Sequence, residues 1–146
     1  GAGGAARGAV IALLEAGAGA LRVANRTFSR ALDVQNEFGR FGPVEAIRYE
    51  ELGAQHADLI INATSAGVKG EVPPYPAAAI SRNTLCYDLS YGLKPTPFSV
   101  WAREQGAERS VMGWGMLVEQ AAESFNIWRG VRPETAPVLK QMKITA

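Results

Sequence analysis

Short apolar runs alternate with helical segments along almost the whole chain, and this alternation is what most constrains the fold. Apolar runs predict strands at 20–24, 44–47, 58–63, 85–89 and 109–112, the last of them at a sheet edge. Helices are predicted at 5–16, 28–38, 98–105, 116–128 and 133–142. The strands lack strict polar–apolar alternation, which is typical of a parallel sheet covered by helices on both faces. The sequence therefore predicts an α/β domain.

Composition excludes several classes of protein. The chain has 146 residues and a formal net charge of +1, which argues against nucleic acid or an anionic membrane as a partner. No apolar run approaches the ~20 residues needed to span a bilayer. The single cysteine, Cys86, excludes an intrachain disulfide and a cysteine-based zinc cluster, so we predict no metal site and a reducing, cytoplasmic location. The only histidine, His56, lies in the polar stretch AQHAD and is predicted to be a surface loop residue.

The first eight residues, GAGGAARG, resemble the glycine-rich turn that holds the pyrophosphate of a dinucleotide. In such a turn the first glycine allows a tight bend, the second lets the backbone approach the phosphates, and a small third residue, here Ala6, packs against the sheet. Free amides at the start of the following helix point at the anion. The predicted phosphate loop comprises Gly1, Ala2, Gly3, Gly4 and Ala5.

The end of the first predicted strand, at 20–24, indicates which dinucleotide is bound. Enzymes that use NAD carry an acidic residue there to accept hydrogen bonds from the ribose. This chain has Asn25, Arg26 and Thr27 instead, with Arg30 one helical turn after Arg26. Two guanidinium groups on one helical face can clamp a 2′-phosphate, so NADP is favoured over NAD. Thr27 is also placed to cap the helix at 28–38.

Five blocks of the sequence together resemble the nucleotide-binding half of the shikimate dehydrogenase family. They are GAGGAARG, NRTFSRA, NATSAG (62–67), YDLSYG (87–92) and GWGMLVEQAAESFNIWRG (113–130), in the expected order and spacing. The resemblance implies a Rossmann-like, doubly wound parallel sheet followed by C-terminal helices. It also implies the family's reaction, the reversible NADPH-dependent reduction of 3-dehydroshikimate to shikimate in aromatic amino-acid biosynthesis.

The resemblance also assigns roles to individual residues. Asn25, Arg26, Thr27 and Arg30 would hold the adenosine ribose and its phosphate; Thr64 and Ser65 would lie along the cofactor; Leu89 and Gly113 would contact the nicotinamide side; and Tyr91 and Gln120 would reach the substrate. Alternatives stay open, because Thr64 and Ser65 could cap a turn and Tyr91 could be a packing residue. Gln120 follows an apolar segment of a predicted helix, where a buried amide would need hydrogen-bond partners.

The family's catalytic lysine and aspartate belong to a separate N-terminal substrate domain, so no catalytic residue is assigned in this chain. The lysines Lys69, Lys94, Lys140 and Lys143 stand outside the family's catalytic context, and Asp88 is the least implausible local acid or base. We expect the strand before Gly1 and the substrate domain to lie on a missing N-terminal domain or companion peptide. Their absence would leave two strands with unpaired edges and an apolar slot between them. The chain alone would then bind NADP without turnover.

The expected organisation is an NADP-binding domain at 1–113 and C-terminal helices at 114–146 that return toward the substrate domain. Phe125, Ile127 and Trp128 would then be partly exposed.

Three other functions are weighed against this one. A quinate/shikimate dehydrogenase paralogue using NAD would carry an acidic residue at Arg26 or Thr27, and a glutamyl-tRNA reductase would not account for YDLSYG. A non-catalytic NADP-binding module is distinguished only by assay.

Overall fold

The computed structural model describes residues 1–54, 56–66, 70–72 and 75–142. The helices are α1 (Gly4–Glu15), α2 (Phe28–Phe38), α3 (Pro97–Glu104), α4 (Trp114–Arg129) and α5 (Ala136–Gln141). The strands are β1 (Leu21–Ala24), β2 (Val44–Ile47), β3 (Leu59–Asn62), β4 (Leu85–Asp88) and β5 (Arg109–Met112), and short 3-10 helices cover Tyr49–Glu51 and Ala77–Ala79. The predicted α/β order is confirmed. Gly67, Lys69, Pro73, Pro74 and Lys143 lie outside the described residues.

All strand pairs are parallel, and the strands form two sheets. In the first, β1 pairs with β2, with Leu21 opposite Val44. In the second, the order is β3-β4-β5, with Leu59 opposite Leu85 and Leu85 opposite Arg109. Strand β5 therefore lies at a sheet edge, as predicted. Parallel pairing places the carboxyl ends of the strands within each sheet on one side, where ligands of open α/β sheets bind.

A cleft of about 540 Å³ separates the edge of β1 from the edge of β3. Its walls include Leu13 and Val10 of α1, Val23 of β1, Ile60 of β3 and the ring of Trp101. Among the described strands, β1 pairs only with β2, and β3 pairs with β4 on one side only. The expected apolar slot between two strand edges is thus confirmed.

Each sheet has its own hydrophobic core. Val10, Val23, Val34 and Phe38 pack together between α1, α2 and the first sheet. A second cluster packs α3 against the second sheet, and its fully buried members are Cys86, Phe98 and Ala102. The rings of Tyr75, Phe98 and Trp101 contact one another beside this second core.

The C-terminal helices contribute little to either core. Ala122 is the only buried residue of α4, and α5 has none. Ile127 and Trp128 are 75% and 78% exposed, and Phe125 is 45% exposed, which confirms the predicted exposure of these side chains. Helix α5 begins at Ala136, so the predicted start at residue 133 is wrong by about one turn. None of the described helices is long and apolar enough to cross a membrane.

Candidate functional site

The predicted phosphate loop lies between the carboxyl ends of β1 and β3. The amino group of Gly1 donates a hydrogen bond to the Ala24 carbonyl oxygen at 2.7 Å. A side chain at position 1 would collide with the carbonyl oxygen of Ala63, so the close approach of two backbone segments requires glycine there. This arrangement brings the first residue of the loop to the edges of both sheets.

Gly3 and Gly4 face open space at the start of α1. Gly3 is the N-cap residue, with an ordinary φ of −86°, and α1 has no acidic residue in its first turn. A Cβ atom at either glycine would meet nothing within 4 Å. Packing within this chain therefore gives no reason for glycine at these positions. Glycine at these positions instead leaves room for an anion to approach the backbone amides, so the loop fits a pyrophosphate group.

Arg7 ties the phosphate loop to the neighbouring helix, a contact that the sequence analysis did not find. Its Nη1 donates to the Ala2 carbonyl oxygen at 2.6 Å, and its Nε donates to Oε2 of Glu37 in α2 at 2.9 Å. Ala2 and Ala6 are buried beneath the loop, whereas Gly3 and Gly4 are exposed. A basic residue just inside a glycine-rich helix start was the signal that could have identified it.

The arginine pair lies at the carboxyl end of β1, on the surface. Arg26 and Arg30 are both exposed, and within the described residues neither guanidinium forms an ion pair with a carboxylate. Helix α2 begins at Phe28, so Arg26 precedes the helix and only Arg30 lies in it. The expectation that both stand on one helical face is therefore wrong. The absence of acidic residues from the first turn of α2 leaves this corner positive.

Asn25 and Thr27 shape the turn that carries Arg26. The Asn25 amide donates to the Thr27 carbonyl oxygen at 2.9 Å. Thr27 occupies the N-cap position of α2 as predicted, but its side chain makes no capping hydrogen bond. The Thr27 hydroxyl is exposed and does not serve the helix. Burial raises the pKa of Tyr49, and a hydrogen bond from the Arg26 backbone amide and the Arg26 charge oppose this rise.

Thr64 and Ser65 follow β3, with Thr64 half-buried and Ser65 exposed. The Thr64 hydroxyl donates to Oδ1 of Asn62 at 2.8 Å, and the Thr64 backbone amide donates to the same oxygen at 3.2 Å. The Ala66 amide in turn donates to the Thr64 hydroxyl at 3.4 Å. Thr64 thus caps a turn, the alternative left open from the sequence, and this turn orients the loop at the end of β3.

Asn62 and Asp88 form a buried polar pair at the carboxyl ends of β3 and β4, a second feature that the sequence analysis missed. They are 1% and 0% exposed, and the Asn62 amide donates to Oδ1 of Asp88 at 3.1 Å. Oδ1 of Asp88 also accepts from the Ser90 backbone amide at 3.0 Å, and Oδ2 accepts from the Thr96 hydroxyl at 2.6 Å. Because both oxygens of Asp88 are buried and occupied, this carboxyl group is not available as an acid or base for a substrate.

Leu89 and Gly113 meet at the ends of β4 and β5. The Leu89 amide donates to the Asn62 carbonyl oxygen at 3.0 Å, and a side chain at Gly113 would collide with the Leu89 carbonyl oxygen. The ring of Tyr91 lies 4.7 Å from that of Trp114 and is 43% exposed. Gln120 is exposed on α4, so its amide needs no hydrogen-bond partner within the chain.

The parallel strands, the flanking helices and the glycine-rich start of α1 define an α/β domain of the Rossmann type. A family model described as "Shikimate / quinate 5-dehydrogenase" matches residues 1–69, and one described as "Shikimate 5'-dehydrogenase C-terminal domain" matches residues 113–143. The chain is 53% identical over 143 residues to the shikimate dehydrogenase (NADP(+)) of Aeromonas hydrophila, covering 98% of this chain and 52% of that protein.

Several solved structures are similar to the chain, and two of them illustrate the likeness. One is an Ael1 enzyme from Pseudomonas putida, with a TM-score of 0.87, 48% identity, and coverage of 97% of this chain and 52% of that one. The other is the shikimate 5-dehydrogenase of Thermus thermophilus in complex with NADP(H) and shikimate. Its TM-score is 0.78 at 35% identity, with coverage of 93% of this chain and 49% of that one. The chain belongs to the shikimate/quinate dehydrogenase family, and it spans about half the length of the curated relatives it matches.

Proposed function

We propose that this chain is the NADP-binding part of a shikimate dehydrogenase, which reversibly reduces 3-dehydroshikimate to shikimate with NADPH. The observation that carries the proposal is the pairing of an open glycine turn at Gly3 and Gly4 with an exposed arginine pair at the next strand end. The first suits a pyrophosphate, and the second suits a 2′-phosphate. The Aeromonas hydrophila relative is named shikimate dehydrogenase (NADP(+)), and the Thermus thermophilus structure is a complex with NADP(H), which supports the same choice.

The arginine corner favours NADP over NAD on electrostatic grounds. Two cations at a helix start are unfavourable by themselves because they oppose the helix dipole. An anion between Arg26 and Arg30 would remove this penalty, whereas a bare ribose hydroxyl would not. The exposed hydroxyl of Thr27 and the turn ordered by Asn25 complete the adenosine end of the proposed site.

The remaining residues are assigned to the reacting end. Thr64 and Ser65 lie along the proposed cofactor path, Leu89 and Gly113 contact the nicotinamide side, and Tyr91 and Gln120 reach the substrate. When bound, NADPH supplies the hydride. The transfer also needs an acid or base close to the substrate oxygen, and no residue of this chain is assigned that role. The proton therefore comes from the family's substrate domain, and this chain alone binds NADP without turnover.

The proposed organisation divides the chain at residue 113. Residues 1–113 form the NADP-binding domain, and residues 114–146 return toward the substrate domain. The weak packing of α4 and the exposure of Ile127 and Trp128 support this division. We also propose a cytoplasmic location, because Cys86 is a buried free thiol of the kind that a reducing compartment maintains.

The sharpest experiment is a titration of Arg26→Ala with NADPH and NADH. Loss of a charge-assisted hydrogen bond of roughly 1.5–3 kcal/mol weakens NADPH binding about 10- to 150-fold. NADH binding should change little, because NADH lacks the 2′-phosphate. Arg109→Ala is the matched control: Arg109 is also exposed but lies at the amino end of β5, and its loss should leave both affinities unchanged.

Equal losses of affinity for both dinucleotides in Arg26→Ala would refute the 2′-phosphate clamp.

A turnover assay separates a part of an enzyme from the alternative, a non-catalytic NADP-binding module. Shikimate and NADP are added to the chain with and without the substrate domain of a relative. Turnover only in the presence of that domain supports the enzyme. A preference for quinate and NAD would instead indicate the quinate/shikimate dehydrogenase paralogue.

A further inference from the structure

The buried pair of Asn62 and Asp88 lies between two loops that the proposed function assigns to the cofactor. Asn62 ends β3 and Asp88 ends β4, and the two residues are opposite each other in the parallel register. Their side chains are joined by the 3.1 Å hydrogen bond from the Asn62 amide to Oδ1 of Asp88. Neither residue is exposed enough to contact a ligand. Any influence on the cofactor must therefore pass through other residues.

On the β3 side, a single oxygen organises the loop. Oδ1 of Asn62 accepts three hydrogen bonds: from the backbone amide of Thr64, from the Thr64 hydroxyl, and from the Tyr75 hydroxyl at 3.0 Å. The last bond holds the pair to the aromatic cluster beside the second core, because Tyr75 also contacts Phe98 and Trp101. The start of the Thr64–Ser65 loop is thereby anchored to packed side chains.

On the β4 side, Asp88 holds the following loop and the start of α3. Oδ1 accepts from the Ser90 amide, next to Leu89 and Tyr91. Oδ2 accepts from the hydroxyl of Thr96, which is the N-cap residue of α3. The same hydroxyl oxygen of Thr96 accepts a hydrogen bond from the Ser99 amide at 3.2 Å. Each side-chain polar atom of the pair thus has a hydrogen-bond partner, and both strand ends are bound to one network.

We propose that Asn62 and Asp88 are positioning residues that set the spacing between the Thr64–Ser65 loop and the Leu89–Tyr91 loop, and so shape the nicotinamide end of the site. This inference rests on the proposed function. A purely structural pair would stabilise the sheet without affecting one end of the dinucleotide more than the other. A positioning pair acts on the nicotinamide end and leaves the adenosine end, at Arg26 and Arg30, unchanged.

Asn62→Leu tests the proposal, because leucine has a similar size and removes both the acceptor for Thr64 and the donor to Asp88. Affinities for NADPH and for 2′-AMP are measured, together with the change in nicotinamide fluorescence on binding. We expect NADPH binding to weaken at least about fivefold, a reduced fluorescence change, and a 2′-AMP affinity within about twofold of wild type. Asp88→Asn keeps an acceptor for Asn62 and Ser90, and should retain NADPH binding within about twofold.

Thr84→Val is the matched control. Thr84 is 1% exposed and immediately precedes β4, and its hydroxyl donates to the Ala57 carbonyl oxygen at 2.8 Å at the opposite end of the sheet. Its loss removes this hydrogen bond and the two that the hydroxyl makes with Ser81, all far from the loops, so neither ligand affinity should change. If circular dichroism shows that Asn62→Leu does not fold, Asn62→Ala, whose methyl group forms no hydrogen bond to Thr64, Tyr75 or Asp88, gives the same comparison.

The outcomes separate the two proposals. If the wild-type chain binds 2′-AMP and NADPH and Asn62→Leu binds NADPH equally well, the positioning role is overturned and the proposed function stands. Equal weakening of both ligands in Asn62→Leu also overturns it, because only general stability has then changed. If the wild-type chain binds neither ligand, the proposed function fails, and the positioning role fails with it.

Discussion

Gly113 lies between β5 and α4, and its Cα rests against the backbone of Leu89. Glycine is required there by contact rather than by conformation, because its φ of −72° is open to any residue. Gly1 is held against Ala63 in the same way. Such positions are invisible in a single sequence, since the residue that each glycine touches lies many positions away along the chain.

Replacing Gly113 by alanine should destabilise the chain by about 1–3 kcal/mol, because the new methyl group overlaps the Leu89 carbonyl oxygen. Gly115→Ala is the paired variant: a Cβ there meets nothing within 4 Å, and alanine in a helix should stabilise by about 0.4–1 kcal/mol. Urea unfolding of both variants measures the difference. Effects of the same sign would contradict the close approach.

Cys86 supplies a prediction for alkaline pH. Burial raises the pKa of its thiol from 9.0 to about 11. The unfolded chain therefore loses this proton first, and the contribution of the thiol to stability, complete below about pH 9, falls as the pH rises toward 11. The free energy of unfolding should decline less steeply between pH 9 and 11 in Cys86→Ala than in wild type. Identical slopes would show that the thiol ionises equally in both states.

At the scale of elements, the sequence predicted the order of strands and helices because each element carries its own apolar pattern and end signals. The bounds of α2, β2 and β5 agree with the prediction residue by residue. Helix α5 does not, because Pro137 has no backbone N–H and is tolerated only in the first turn of a helix; the helix therefore starts at Ala136 rather than at Pro133.

The two threonine caps differ, and this difference is testable. The Thr96 hydroxyl is buried and bonded to both Ser99 and Asp88, so Thr96→Ala should destabilise by about 1–3 kcal/mol. Thr27 is exposed and makes no capping bond, so Thr27→Ala should alter stability by less than about 0.5 kcal/mol. Thermal unfolding of the two variants checks this order, and equal losses would mean that Thr27 does cap α2.

At the scale of the whole molecule, the main feature is the cleft between the two sheets. Strand β3 is apolar, yet Leu59, Ile60 and Ile61 are only half-buried, because the cleft opens on this edge. Exposed strand edges invite pairing with other chains. The division also separates the two cores, so each sheet depends mainly on its own helices for burial.

An added strand should therefore stabilise the chain. An extension of about five apolar β-branched residues joined to Gly1 would enter the cleft and pair with both β1 and β3. We expect a larger free energy of unfolding and less aggregation, measured by urea unfolding and light scattering. A glycine–serine extension of the same length is the control. If both extensions behave alike, the cleft does not accept a strand.

The sequence by itself determined the class of fold, the order of elements, the glycine turn at Gly3 and Gly4 and the basic residues Arg26 and Arg30, because periodicity and residue chemistry are local properties. Only the tertiary structure decided that Arg26 lies outside α2, that Gln120 is exposed, and that Asn62 and Asp88 share a buried hydrogen bond. These facts depend on which distant backbone segments meet. Strand register and the burial of apolar side chains determine which segments meet, and both are established only when the whole chain has folded.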